Sequence, residues 1–304
     1  MYELIILGAG PAGMTAAVYA ARKKVDMALI SKDVGGQMLW TLGIENYMGY
    51  QYIEAPDLIA KFDAQVKQFP IEQRIGENAR SVKMLDGGFR VETEKGDTLE
   101  GRVVLVATGK RPRQLGVPGE GRLRGRGVSY CAICDGPLFN FEKVAVVGGG
   151  NSGLEAVYDL LKIGCPRVNL ISTTPLTADK VLVDQVKDNP NLAIFTEHET
   201  VEITGDKRVE GIRIRSLKDG KEQDLEVGGV FVEIGLQPNA ELVKGLARRN
   251  RWGEIKVNPS CETGVPGLFA AGDVTDVPEK QIVVAAGEGA KAAIQVQKYL
   301  QRLG

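Results

Sequence analysis

One order of elements occurs twice in this chain and limits what it can fold into. Leu4-Ile5-Ile6-Leu7 runs straight into Gly8-Ala9-Gly10-Pro11-Ala12-Gly13 and a helix, and Val144 to Val147 runs into Gly148-Gly149-Gly150-Asn151-Ser152-Gly153 and a helix from Leu154 to Ile163. A continuous apolar run suits a parallel strand covered on both faces. Glycines at these spacings allow a tight turn, a close approach of backbone to a pyrophosphate, and close seating of the helix on the strand. The alternative is an ordinary glycine turn, against which the placement between strand and helix argues. Ala12, Ala16, Ala17 and Ala20 are small enough for close packing along a first helix running to about Lys24, and Leu154, Val157, Leu160 and Leu161 share the inward face of the second.

Each copy continues alike. After the first come a strand at Met27 to Ile30, alternating segments at Ser81 to Met84 and Phe89 to Thr93, a turn at Lys95-Gly96-Asp97, and a buried strand Val103 to Gly109 closing in Ala107-Thr108-Gly109. After the second come Val168 to Ile171, a hairpin from Val209 to Leu225 turning at Lys218-Asp219-Gly220, and Val230 to Gly235. Two copies predict two dinucleotide sites in an α/β fold. A chain of 304 residues is long for a single core. Lys110 to Gly121, with Pro112 and Pro118, reads as a linker and Pro238-Asn239 as the return. The segment from Leu242 to Gly304 is short for a core of its own and must pack on something already built.

Other stretches fit around the first turn. Met27 to Ile30 ends in Ser31-Lys32-Asp33, where an acidic residue would be expected to hold a ribose, so that contact stays open. Gly35-Gly36-Gln37 forms a loop that could lie against a flat cofactor, followed by Asn46, and Ala55 to Phe69 reads as a helix with Leu58, Ile59, Phe62 and Val66 on one face. Leu268 to Asp273 is a strand ending in Gly272 and a carboxylate; Asp273 is either suited to a sugar or ribityl hydroxyl or an ordinary cap. Gln281 to Leu303 is helical, and its first turn, placed around Gly287-Glu288-Gly289, is expected to offer free N–H groups and a positive dipole end.

Between the copies stands Tyr130-Cys131-Ala132-Ile133-Cys134-Asp135-Gly136-Pro137. Two thiols separated by two residues can close a small disulfide ring, and such pairs commonly lower one thiolate pKa, which favours exchange. Asp135, beside the second sulfur, is placed to move protons. A zinc site would need four ligands, and the remaining Cys165, Cys261 and His198 are scattered. Cys165 and Cys261 read as buried small hydrophobes and His198 as exposed. Four cysteines are too few for a disulfide framework, so the pair is expected to be catalytic in a reducing, cytoplasmic setting. A net charge of −1 without a basic face argues against nucleic acid. Arg122, Arg124 and Arg126 read as a solvated loop, or a docking surface for an acidic partner. No apolar run approaches membrane-spanning length, and Met1 leads directly into a strand without a leader pattern.

With its two dinucleotide turns, Ala107-Thr108-Gly109, the Cys131 to Gly136 segment and the Gly272-Asp273 strand end, the chain resembles the low-molecular-weight thioredoxin reductase family over nearly its full length. Cys134 to Phe139, Gly148 to Gly153, Cys261-Glu262-Thr263 and Gln281 through Lys291 are similar to the flavoprotein part of alkyl hydroperoxide reductase. That part follows a thioredoxin-like region in its family; here Met1 stands just before the first strand, so the next electron carrier is expected to be a separate protein.

The resemblance implies an α/β fold of two Rossmann-like, three-layer dinucleotide-binding domains, the second inserted in the first and divided as 1–113 with 242–304 and 114–241, with FAD at Gly8, Gly10, Pro11, Ala12, Gly13, Ser31, Gly35, Gly36, Gln37, Asn46, Ala107, Thr108, Gly109, Gly272, Asp273, Gln281 and Ile282. It implies NAD(P)H at Gly148, Gly150, Asn151, Ser152, Gly153, Glu155, Ser172, Thr173 and Gly235. Cys134 would face the flavin, Cys131 would attack the partner, and Asp135 would be the acid/base. The implied activity is disulfide reduction of a thioredoxin- or glutaredoxin-like protein, feeding a peroxiredoxin, by a homodimer whose middle unit rotates on its two linkers near Pro112 to Pro118 and Pro238. Family members that prefer NADPH carry a His-Arg-Arg run where Ser172-Thr173-Thr174 stands here, so NADH is favoured over NADPH by elimination. The competing readings are a flavin reductase of ferredoxin or diaphorase type with idle cysteines, and a redox-sensing flavoprotein without turnover.

Overall fold

The computed structural model describes residues 1–41 and 43–304. Among these residues the first sheet has the order Glu72–Ile75, Met27–Val34, Tyr2–Ala9, Thr98–Val106, Gly88–Thr93, Ala79–Leu85, and Leu268–Ala270 also pairs with Thr98–Val106. The strands around Tyr2–Ala9 are parallel, as is Leu268–Ala270, whereas the hairpin Ala79–Leu85 and Gly88–Thr93 joins antiparallel. Thr98–Val106 serves both: its first part meets the hairpin, with Phe89 opposite Gly101, and its second meets Leu268–Ala270, with Leu268 opposite Val104. The last segment of the chain thus completes the sheet begun by the first.

The second sheet, Val128–Ser129, Gly229–Val232, Lys143–Val147, Arg167–Ser172 and Leu192–Thr196, is parallel throughout. A separate antiparallel sheet, His198–Thr204, Gly211–Ser216 and Glu222–Glu226, lies against it.

Side chains alternate across a strand, so a continuous apolar run feeds two cores at once. Leu4 and Ile6 pack with the helices Pro11–Ala21, Ala55–Val66 and Ile282–Leu303, while Ile5 and Leu7 pack with Val82, Phe89 and Val91 of the hairpin and with Leu242, Val243 and Ile255. Val144 and Val146 pack with Leu154, Val157 and Leu160 of the helix Asn151–Ile163, and Ala145 and Val147 pack with Ile203, Ile212 and Ile214 of the antiparallel sheet. Each unit therefore has a helical layer, a parallel sheet and an antiparallel layer, the three-layer α/β arrangement expected from the sequence. Burial of each of these aliphatic side chains is worth about 1.5–3 kcal/mol, so the cores on both faces hold the strand ends in place.

Some expectations are corrected. The first helix ends at Ala21, before a turn through Lys24, and the helix expected from Leu154 already begins at Asn151. Lys110 to Gly121 is not plain linker: Lys110–Pro112 pairs antiparallel with Leu236–Pro238, so outgoing and returning chains form one ribbon. Gly287 to Gly289 is not the first turn of the last helix, which begins at Ile282 with its first bond from Ala285 N–H to Gln281 O at 2.9 Å. A Cβ at Gly289 would overlap the Ala12 carbonyl, so this glycine lets the first and last helices touch. Arg124 is half-buried, its guanidinium 4.6 Å from the Trp40 ring centroid, whereas Arg122 and Arg126 are exposed as expected, Arg122 donating to the carbonyls of Gly205 and Asp206, both at 2.7 Å. His198 is half-buried as well, with Nδ1 2.7 Å from Thr196 O and its ring edge-on to Phe195.

Candidate functional site

At the first glycine turn Gly8 takes φ +107°, where a side chain would overlap Ala107 O, and a Cβ at Gly13 would overlap Gly8 O. Gly10 is different: a Cβ there meets nothing within 4 Å, so the turn opens onto space where its backbone can be approached. The helix starting at Pro11 turns free N–H groups toward that space.

The other candidates gather here. Gly35 N–H donates to Ala9 O at 2.8 Å, a Cβ at Gly36 would lie 3.6 Å from the Gly10 Cα, and the Ser31 hydroxyl accepts from Ala9 N–H at 2.9 Å. A Cβ at Gly272 would lie 2.9 Å from that of Ala12. Gln37 Nε2 donates to Asp273 Oδ2 at 2.8 Å, and Asn46 Nδ2 donates to Gln281 Oε1 at 3.1 Å, just before Ile282. Thr108 and Gly109 are fastened to the return strand: the Thr108 hydroxyl donates to Asn239 O at 2.7 Å and Asn239 N–H to Gly109 O at 2.9 Å. Asp273 lies inside the short turn Gly272–Val274, whose N-cap is Ala271. Burial raises its carboxyl above the ordinary range, opposed by Lys280, Lys110 and the Gln37 bond.

The second turn repeats the geometry. Gly148 takes φ +142° against Glu233 O, Gly153 sits against Gly148 O, and Gly150 has room. Asn151 Nδ2 donates to Asp179 Oδ2 at 2.9 Å, and Asp179 N–H returns a bond to Asn151 Oδ1 at 2.8 Å. Ser172 is buried beside Gly149, whereas Thr173, Ser152 and Glu155 are exposed around the turn. Gly235, at φ +102°, accepts from Arg113 N–H at 3.0 Å at the mouth of the ribbon.

Cys131 and Cys134 form a disulfide across the first turn of the short helix Ala132–Asp135, with Cα atoms 5.3 Å apart. Cys165 and Cys261 are free and buried, and burial pushes each thiol up to about 11, which leaves them unreactive. Asp135 is buried between the units: the Ser129 hydroxyl donates to Oδ2 at 2.6 Å, and the Thr41 hydroxyl, from the first unit, donates to Oδ1. Burial raises the Asp135 carboxyl above its ordinary value, and these two bonds oppose it. The same seam holds Trp40 5.7 Å from Tyr130, with Arg124 over both rings. The disulfide-bearing helix is therefore docked toward the first unit.

Several of these residues carried no signal in the sequence. Glu120 accepts from the Tyr130 hydroxyl at 2.9 Å and from Leu115 and Gly116 N–H, and Tyr130 is pushed up to about 12 by burial and by this bond. Glu233 Oε1 accepts from Ala132 N–H at 3.2 Å, and burial pushes its carboxyl up to about 7. Lys110, Glu254 and Lys280 cluster near Asp273. Each reaches its partners across more than one element, which spacing along the chain does not encode.

The Pyridine nucleotide-disulphide oxidoreductase family matches residues 2–289. An alkyl hydroperoxide reductase chain of Escherichia coli (strain K12) is 42% identical over 306 residues, covering 99% of this chain and 58% of that protein. An NADH dehydrogenase of Bacillus subtilis (strain 168) is 42% identical over 302 residues, covering 99% of this chain and 59% of that protein. The chain thus spans a little under three fifths of the curated relatives it matches. The crystal structure of thioredoxin reductase from Streptococcus pyogenes MGAS5005 superposes with a TM-score of 0.94 at 37% identity, covering 99% of both chains. Two phosphate-type turns flanking a disulfide that is docked between two three-layer units agree with these likenesses, and the chain belongs to the pyridine nucleotide-disulphide oxidoreductase family, with the fold of a thioredoxin reductase.

Proposed function

We propose that this chain passes two electrons from NADH through bound FAD and the Cys131–Cys134 disulfide to the disulfide of a small thioredoxin- or glutaredoxin-like protein, which in turn serves a peroxiredoxin. The observation that carries the reading is the disulfide helix docked by Asp135 and Thr41 against the unit that holds the first glycine turn. Family membership implies FAD and a pyridine nucleotide, and the residues fit both. Each turn has an open glycine, Gly10 or Gly150, flanked by glycines that tolerate no side chain. In the first unit, Asp273, Gln37, Asn46 and Gln281 add polar groups beside it.

FAD would be held by residues 1–113 and 242–304, and the nucleotide by 114–241. When bound, FAD supplies a carrier that accepts hydride from a nicotinamide and delivers an electron pair to a disulfide. The protein's own part begins at Asp135, whose carboxyl, raised above its ordinary value by burial, is placed to pass a proton to the sulfur of Cys134 as the ring opens. Cys131, as thiolate, then attacks one sulfur of the partner's disulfide and displaces the other as thiolate. Cys134 attacks the mixed disulfide next, which re-forms the ring and releases the partner as a dithiol. The ribbon of Lys110–Pro112 with Leu236–Pro238 is the hinge on which the middle unit turns between these steps, since both crossings of the chain lie side by side there. The strand end at Ser172 and Thr173 offers hydroxyls and not a guanidinium, which supports NADH over NADPH. A cytoplasmic homodimer completes the reading; among the described residues, no helix is long and apolar enough to cross a membrane.

The test is steady-state NADH oxidation by the yellow holoenzyme with a thioredoxin-like disulfide protein as acceptor. Cys131→Ser and Cys134→Ser should each lower this rate about a thousandfold or more while ferricyanide reduction persists. Protein-disulfide reduction that survives in both variants, or a polypeptide that stays colourless after reconstitution with FAD, overturns the proposal.

A further inference from the structure

The steps above leave Glu233 unused. It follows the strand Gly229–Val232, where its N–H donates to Val147 O at 2.8 Å and its carbonyl lies against Gly148, so its main chain belongs to the nucleotide turn. Its side chain reaches the cysteine helix instead, and Oε1 accepts the Ala132 N–H at 3.2 Å. That amide directly follows Cys131. The Cys131 sulfur itself accepts the Cys134 N–H at 3.2 Å. Of the two peptide donors flanking this helix start, one thus serves the sulfur and the other a carboxylate.

Resting on the disulfide-exchange reading above, we infer that Glu233 is a positioning residue that sets the reactivity of Cys131. Ionised, it takes up the Ala132 amide and places a negative charge at the peptide that follows Cys131; protonated, it removes that charge. Its surroundings make the ionisation responsive near neutrality. Burial pushes the carboxyl up to about 7, the Ala132 bond opposes this, and Glu155, on the helix Asn151–Ile163, adds like charge. Asp135 closes the same short helix, but its two oxygens are engaged by Ser129 and Thr41. Glu233 and Cys131 therefore titrate as a coupled pair, each one's loss of a proton making the other's harder.

The test follows alkylation of Cys131 by iodoacetamide in the fully reduced holoprotein from pH 5 to 9, with peptide mass spectrometry separating Cys131 from Cys134. It needs no turnover, so it fails or succeeds independently of the NADH-driven reaction. The wild-type profile should bend near the Glu233 titration as well as at the thiol. Glu233→Gln should remove the first bend, shift the second to lower pH and raise the rate at pH 7.5 by about threefold to tenfold. Glu155→Gln, which leaves Glu233 in place, should move the first bend to lower pH. A Glu233→Gln profile that overlays the wild type, or a bend unmoved by Glu155→Gln, overturns the inference.

Discussion

The hydroxyl of Thr41 donates to Oδ1 of Asp135 across the seam between the two units, joining residues 94 apart in the chain. With Ser129 on the other oxygen at 2.6 Å, both lone-pair faces of a buried carboxyl are engaged from different elements. In the proposed rotation, the unit carrying Asp135 gives up the Thr41 bond as it turns away.

Thr41→Val tests this bond. The hydroxyl favours the charged form of Asp135, so its loss should move the Asp135 carboxyl further above its ordinary value. The pH dependence of disulfide opening, followed by rapid mixing with NADH, should shift to higher pH, and the docked arrangement should weaken by about 1 kcal/mol. An unshifted profile would mean that Asp135 does not carry the proton.

Glu233 predicts a dependence of stability on pH. Its folded-state value of about 7 lies above the unfolded 4.5, so between these values the folded state binds more protons and stability falls as pH rises. The loss should be complete above about pH 7 and amount to about 3 kcal/mol, from the distance between the two values. Glu233→Gln, which keeps an acceptor for Ala132 and cannot ionise, should match the wild type at pH 4.5 and exceed it at pH 8 in urea denaturation. Equal midpoints at pH 8 would contradict the assignment.

The glycines of the first turn separate folding from cofactor retention. Gly10 has extended backbone and open space at its Cβ, so Gly10→Ala should keep the wild-type melting temperature while purified protein loses most of its 450 nm absorbance. Gly13→Ala drives a methyl into the Gly8 carbonyl and should lose at least about 1–3 kcal/mol before any cofactor is considered. The reverse pattern would show that the open face of Gly10 is not where the nucleotide lies.

Thr173→Arg, at an exposed position after the strand Arg167–Ser172, supplies the missing guanidinium. It should raise kcat/KM for NADPH about tenfold and leave that for NADH nearly unchanged, because the gain comes from pairing the 2′-phosphate. Steady-state kinetics with the two nucleotides decide it.

Residues adjacent in sequence made the two glycine turns, the strands before them and the cysteine pair legible, because backbone sterics at Gly8 and Gly148 and alternation along Leu4 to Leu7 are local properties. The last helix shows the limit. Gly287-Glu288-Gly289 looked like a helix start by composition, yet Gly289 is spent on contact with Ala12, 277 positions earlier, and Glu288 accepts from Gly272 N–H at 3.1 Å. Likewise Arg124 looks solvated in sequence, and the fold turns it onto two aromatic rings.

The sequence by itself determined that the chain would build two three-layer α/β units, each with a phosphate-type turn, and would carry one vicinal sulfur pair between them. Tertiary structure alone decided that Asp135 meets Thr41, that Glu233 reaches the amide beside Cys131, and that the two crossings of the chain pair as a ribbon. The physical reason is range: turns and strands follow from sterics among neighbours, whereas the acidity of a buried carboxyl depends on donors and charges delivered by distant elements, which exist together only once the layers have packed.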